Sequence, residues 1–248
     1  ALLWQTPLPS MGEFELLAAD IGQDNAVIVR TANHALVYDT GPRFSLESDA
    51  GHRVLVPLLR ALGVTVDTVM LSHRDTDHVG GALAVLAMQP QAELMSSIED
   101  GHELRLVRPV KRCVAGQTWI WDGVRFEVLH PRAEDYAAPG QTALPKSNAM
   151  SCVLRIASLN DAQVALLTGD IEAAQEARLV TDTAPLKSDL LLVPHHGSKT
   201  SSSPAFLDAV NPKIALVQAG YRNRFGHPVA PVMDRYRERG IEVVNSAR

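Results

Sequence analysis

Four of the six residues in His73-Arg74-Asp75-Thr76-Asp77-His78 carry imidazole or carboxylate groups, and an apolar run, Val66 to Leu71, leads directly into them. Gly80-Gly81 and an Ala/Leu/Val segment to about Met88 follow, with helical composition. This arrangement reads as a loop at the carboxyl end of a strand, where α/β folds gather ligands. Residues two apart in an extended loop project to one side, so His73, Asp75 and Asp77 can converge. His78 then points elsewhere, which suits a second ion beside the first. The helix starting near Gly80 is expected to aim its free N–H groups and positive dipole end at the same pocket, where an anion would be held. A polar loop with capping aspartates is the plainer alternative; the density of ligand types weighs against it.

The rest of the chain alternates short strands and helices. β-rich runs are read at Phe14 to Ile21, Ala26 to Arg30 and Ala35 to Asp39. Val54, Leu55, Leu58, Leu59 and Leu62 recur at helical spacing within His52 to Leu62, and Gly63 supplies the stop. Further strands are read at Val124 to Leu129, Ser151 to Ala157, Gln163 to Leu167, Leu190 to Val193, Ile214 to Gln218 and Ile241 to Val244. Further helices are read at Glu172 to Val180, Pro204 to Val210 and Val229 to Arg239, and a long polar loop at Pro131 to Ser147. Strand-rich halves each followed by helices fit two sheets covered by helices, in one α/β domain of 248 residues.

Three later sites can close a coordination shell. Thr168-Gly169-Asp170 puts a carboxylate at a strand's end, where its two oxygens can serve two cations. Pro194-His195-His196-Gly197-Ser198 follows a second apolar strand, and Gly226-His227-Pro228 sets a histidine between turn-formers. His34, His52 and His102 lie in polar contexts and are read as solvated; His130, before Pro131, is read as structural.

Composition limits the alternatives. A net charge of −5 argues against a broad basic coat for nucleic acid, though not against a local groove. Ser198, Lys199 and Thr200, with Arg222 and Arg224 near His227, are the candidate phosphate contacts. Cys113 and Cys152 lack metal-finger spacing; two buried free thiols are expected, with one disulfide as the alternative. No apolar stretch reaches the ~20 residues that span a bilayer. The opening Ala1 to Pro7 lacks a basic leader, and a start without Met reads as an excised fragment or a processed product.

The pattern His-x-[His/Asp]-x-Asp-His, then a strand ending in Gly-Asp, then a late His, resembles the metallo-β-lactamase superfamily. More narrowly, the chain resembles the C-terminal domain of the ComEC family of bacterial DNA-uptake channel proteins. The resemblance is carried by Asp20-Ile21-Gly22-Gln23, Tyr38-Asp39-Thr40-Gly41-Pro42, the His73 cluster through Gly81, Asn148 to Leu154, Leu167 to Asp170, Pro194 to Ser198 and Gly226-His227-Pro228. It implies an αββα four-layer sandwich with metals at the rim of the sheets. It also implies a role in natural transformation (competence), in which one DNA strand is degraded while the other enters the cell. The domain would then belong to an inner-membrane protein, its side of the membrane left open, with a membrane channel in the same polypeptide as partner and no nucleotide cofactor.

The chain departs from that pattern in places. The family's Gly-Gln-Gly-Asp-Ala turn reads Gly22-Gln23-Asp24-Asn25-Ala26, losing a glycine and a carboxylate, and the superfamily's second histidine is Asp75. A third-motif histidine is absent, with Asn148 and Ser151 near its place as candidate substrate contacts. The resemblance implies one ion on His73, Asp75 and Asp170, and another on Asp77, His78, Asp170 and His227; His196 either completes the first or meets phosphate. Oxygen-rich ligands favour Mn²⁺ or Mg²⁺ over Zn²⁺ more than an all-histidine set would.

The expected chemistry is hydrolysis by metal-activated water, with Asp77 in the catalytic set and His195 or His196 protonating the leaving oxygen. The favoured substrate is single-stranded DNA. A small ester, lactone or phosphodiester would need the same activation. A degenerate, metal-poor domain that docks DNA or a partner is the non-enzymatic reading.

Overall fold

The computed structural model describes residues 7–22, 24–136, 144–220, 223 and 225–246. Strands β1 (Glu15–Ala18), β2 (Val27–Arg30) and β3 (Ala35–Tyr38) form an antiparallel run. A hairpin of β4 (Arg43–Ser45) and β5 (Ser48–Asp49) leads through a π-helical turn, Gly51–Leu55, into α1 (Val56–Leu62). Strand β6 (Thr68–Leu71) returns parallel to β3 and is followed by the short helix α2 (Thr76–Val79) and by α3 (Ala82–Met88). Then come β7 (Glu93–Ser96), α4 (Leu104–Val107) and β8 (Val110–Arg112), so the first sheet runs β1-β2-β3-β6-β7-β8.

The second sheet begins as a meander of β9 (Thr118–Trp121), β10 (Val124–His130), β11 (Val153–Ala157) and β12 (Val164–Leu167). Helices α5 (Ala173–Thr181), α6 (Pro204–Val210) and α7 (Ala230–Glu238) then alternate with the parallel strands β13 (Leu190–Leu192), β14 (Ile214–Val217) and β15 (Glu242–Asn245).

Side-chain alternation along each strand fixes the layering. In β2, Val27 and Val29 join the core between the sheets, while Ile28 faces the helices of the first half. In β12, Ala165 and Leu167 face the same central core and Leu166 faces α5 to α7. Three apolar cores therefore separate four layers, the αββα sandwich. Strands buried on both faces read as continuous apolar runs, which is why β6, β12 and β13 stood out in the sequence.

Several expectations differ from the structure. β7, β8, β9 and α4 were not anticipated. The helix expected from Gly80 instead begins at Thr76, with Asp75 as its N-cap, and restarts at Ala82. The Gly81 N–H donates to the Gly41 carbonyl and so is not free for an anion. The expected free thiols are a disulfide: Cys113 and Cys152, both fully buried, are bonded with their Cα atoms 6.0 Å apart. They lie far apart in sequence, but Cys113 follows the edge strand of one sheet and Cys152 precedes β11 of the other. Stacking the sheets brings them together.

Candidate metal centre

The carboxyl ends of β3, β6, β12, β13 and β14 deliver the polar residues of the site. Asp39 follows β3, Ser72 and His73 follow β6, Asp170 follows β12, His195 and His196 follow β13, and Gln218 follows β14. Two glycines permit the close approach. Gly169 is left-handed (φ 53°), and a Cβ there would lie 2.8 Å from the Ser72 Cβ. Gly197 (φ 80°) would meet the Pro228 Cβ at 2.6 Å, so the His227 turn can press on the His195-His196 turn. His195 and His196 are themselves left-handed, at φ 49° and 54°. Such strain persists only where the surroundings enforce it, and it clusters at functional sites.

Each buried imidazole is held at Nδ1, leaving Nε2 directed inward. His78 Nδ1 lies 2.8 Å from Asp39 Oδ2, His73 Nδ1 2.9 Å from Ser72 Oγ, and His196 Nδ1 2.9 Å from the Gln218 carbonyl. Asp39 also accepts from the Ser72 N–H (2.6 Å) and hydroxyl (2.8 Å). Nε2 of His73, His78 and His196, with Asp170 Oδ1 and Asp24 Oδ1, are buried and have no hydrogen-bond partner. His78 Nε2 is 3.4 Å and His196 Nε2 3.5 Å from Asp170 Oδ1. Donors bound at about 2.1 Å around a tetrahedral ion stand roughly 3.4 Å apart, so this spacing fits a cation. His73, His78 and Asp170 form one such group and Asp77, His78 and His196 another, each within 4.8 Å.

Electrostatics point the same way. Burial opposes charge on His78, yet Asp170 and Asp39 hold its imidazole well above its ordinary range. Burial likewise opposes ionisation of Asp170, but His196 and His78 hold it well below the usual carboxylate range. Asp75, beside His73, is held down to about 2, and burial pushes Asp24 up to about 7 against the pull of His196. The pocket favours added positive charge, which a divalent ion supplies.

The structure draws most of the expected donors into one cluster. His73 sits beside His78, ring centroids 4.1 Å apart. Asp75 keeps one oxygen 3.5 Å from His73 Nε2. His196 is buried among the donors, whereas His195 is partly exposed, with Nε2 3.7 Å from Asp170 Oδ2. His227 lies outside both donor groups, its ring 5.8 Å from that of His195. Burial lowers the His227 pKa, and His195 and His196 lower it further.

The expected substrate contacts divide similarly. Ser151 is fully buried, and its hydroxyl accepts the Asp170 N–H at 3.0 Å, so it faces a candidate donor and not the solvent. Ser198 is buried, its hydroxyl 3.2 Å from that of Thr200, which donates to Glu172. Asn148 reaches Glu172 at 3.5 Å, and Lys199 is exposed. Arg222 and Arg224 lie outside the described residues. Sequence reasoning missed Asp24, Asp39 and Gln218; of these only Asp39, in Asp-Thr-Gly directly after a strand, carried a local signal.

The sequence profile described as the Metallo-beta-lactamase superfamily matches residues 19–146, just over half of the chain. This chain belongs to the metallo-β-lactamase superfamily. The domain is 37% identical over 229 residues to competence protein ComA of Neisseria gonorrhoeae, covering 92% of the chain. It is 33% identical over 245 residues, 98% of the chain, to the uncharacterized protein YcaI of Escherichia coli K12. It spans only 30% of the length of each of these relatives. The metallo-β-lactamase fold protein YhfI of Bacillus subtilis superposes with a TM-score of 0.56 at 12% identity, covering 95% of this chain and 97% of that one, a likeness of fold alone. The superfamily is one of metallo-hydrolases, and its fold implies divalent metal binding.

Proposed function

We propose that this metallo-β-lactamase domain is a metal-dependent phosphodiesterase that cuts single-stranded DNA during DNA uptake. The observation that carries the reading is the groove beside the donor cluster. It has a volume of about 770 Å³ and is lined by Asp24, Asp75 and Asp77, by Arg43 and Arg74, and by Phe44 and Phe225. The two rings are 46% and 51% exposed. Exposed aromatics beside guanidinium groups suit a flexible strand, because rings stack on bases while arginines meet phosphates. A small lactone would use neither.

Residues His73, His78, Asp77, Asp170 and His196 would hold the ions, with Asp75 beside them. When bound, two divalent ions supply water activation and charge neutralisation at phosphoryl oxygens. His195 faces the rim with Nδ1 3.4 Å from Glu172 Oε1, an orientation that lets Nε2 pass a proton to the leaving oxygen. Competence protein ComA is so named, and its likeness to this chain supports the DNA-uptake setting. The reading includes a membrane channel elsewhere in the same polypeptide. Among the described residues no helix is long and apolar enough to cross a membrane. The buried disulfide favours the oxidising side of that membrane.

Purified protein with Mn²⁺ is expected to shorten a single-stranded oligonucleotide, and Asp77→Ala or His78→Ala to abolish cleavage. Phe44→Ala and Phe225→Ala should each raise KM roughly tenfold with little change in kcat. Absence of cleavage with Mn²⁺, Mg²⁺ and Zn²⁺, or preference for a lactone or β-lactam in a substrate panel, would sink the reading.

A further inference from the structure

Asp24 combines two unfavourable features. It lies between β1 and β2 in a left-handed conformation, φ 92°, at the position where the family's turn carries glycine. It is also only 3% exposed, and its Oδ1 has no hydrogen-bond partner. A buried carboxylate oxygen left unpaired is costly, and so is positive φ outside glycine. Both persist at one residue only if something at that spot recovers the loss.

What lies at that spot is the donor cluster. Asp24 Oδ1 stands 3.5 Å from His196 Nε2, which has no hydrogen-bond partner and is itself 3.5 Å from Asp170 Oδ1. Asp24 lines the same groove as Asp77. The Asp24–His196 spacing repeats that between the other donors, about one edge of a tetrahedron around an ion, although Asp24 stands outside the two groups of donors within 4.8 Å of one another. Gln218 ties the pieces together. Its carbonyl accepts from His196 Nδ1 (2.9 Å), its side-chain oxygen accepts the Ala26 N–H (3.2 Å), and its amide donates to the Ala19 carbonyl (3.0 Å). One buried residue thus holds His196 and both ends of the turn that carries Asp24.

We propose that Asp24 is an additional protein ligand of the ion held by Asp77, His78 and His196. The inference rests on the metal centre proposed above. It gives that ion two carboxylates of its own besides the shared Asp170, an oxygen-rich set suited to Mn²⁺. The turn's carboxylate is moved by one residue, not lost: glycine is replaced by a ligand.

The test is a calorimetric Mn²⁺ titration with metal counting, on the unaltered chain and on Asp24→Asn and Asp24→Gly. Thermal melts in EDTA accompany both variants. Glycine suits the left-handed backbone and asparagine keeps the size, so both variants should fold, with EDTA melting temperatures at or above that of the unaltered chain. One Mn²⁺ site should weaken by at least about tenfold in each, the other remaining intact. The ratio of Mn²⁺ to Zn²⁺ affinity should fall. Unchanged Mn²⁺ affinity at both sites in either variant would overturn the proposal and leave the metal centre standing. Failure of the unaltered chain to bind Mn²⁺ or Zn²⁺ would remove the centre itself, and Asp24's role with it.

Discussion

His78 shows how a single side chain is prepared for an ion. Asp39 fixes its Nδ1 at 2.8 Å, so the ring can turn only Nε2 inward, and such outer partners typically change metal affinity 10–100-fold. Asp170 and, after it, this same Asp39 make His78 hold its proton above the ordinary 6.5 against the opposing effect of burial. Without metal, the stability this charge contributes is complete below about pH 6.5 and is lost as pH rises through the higher folded value. Asp170 works oppositely: its depressed pKa contributes stability present above 3.8 and lost as pH falls through the folded value. In EDTA the melting temperature should therefore fall on the alkaline side, while with Mn²⁺ the gain over EDTA should widen because binding displaces protons. Asp39→Asn should flatten the alkaline slope. Melts at a series of pH values check this, and identical slopes with and without Asp39 would refute it. The His73 to His78 cluster was legible because it is contiguous, but its geometry was not. Which imidazole meets which carboxylate depends on Asp170, placed by a strand of the other sheet.

At the scale of elements, the start of α6 depends on a neighbouring helix. No side chain of its own caps it; Glu176 of α5 accepts the N–H groups of Ser202 (2.5 Å) and Ser203 (2.8 Å) instead. Glu176 is fully buried, so Glu176→Ala leaves those donors without an acceptor, at a cost of about 2–3 kcal/mol. In a chain of this size that corresponds to a fall in melting temperature of roughly 4–12 °C. A change below about 1 °C in a thermal melt would mean that water replaces the carboxylate. The sequence showed where α6 lies, since Ser203-Pro204 opens it, but not what caps it. The elements it concealed are short and lie toward edges. β8 and β9 close the two sheets, and β9 leaves Ile120 69% exposed, so its alternation did not mark a buried face. Helices α1, α5, α6 and α7 were legible because their apolar residues recur at helical spacing beneath a single core.

Across the whole molecule, two kinds of link join the halves of the sandwich at one end. His73, Asp77, His78 and Asp24 come from the first sheet's loops, and Asp170 and His196 from the second's, so an ion held among them ties sheet to sheet. The Cys113–Cys152 bond does the same covalently, and Cys152 adjoins Ser151, whose hydroxyl holds the Asp170 N–H. Closing a loop of 39 residues contributes about 4 kcal/mol by the chain-entropy relation. Ion binding at a hundredfold excess over Kd contributes about 2.7 kcal/mol per site. Independent links would add, but these share Ser151 and the register of the two sheets, so they should couple. A cycle of four melting measurements tests this: Mn²⁺ or EDTA, with the disulfide intact or replaced by Cys113→Ser and Cys152→Ser. The double-serine protein should melt lower in EDTA and also gain less from Mn²⁺, because Asp170 is then less firmly placed before the ion arrives. Equal Mn²⁺ gains in both backgrounds would show that the disulfide supports only the fold and that the donors are positioned without it.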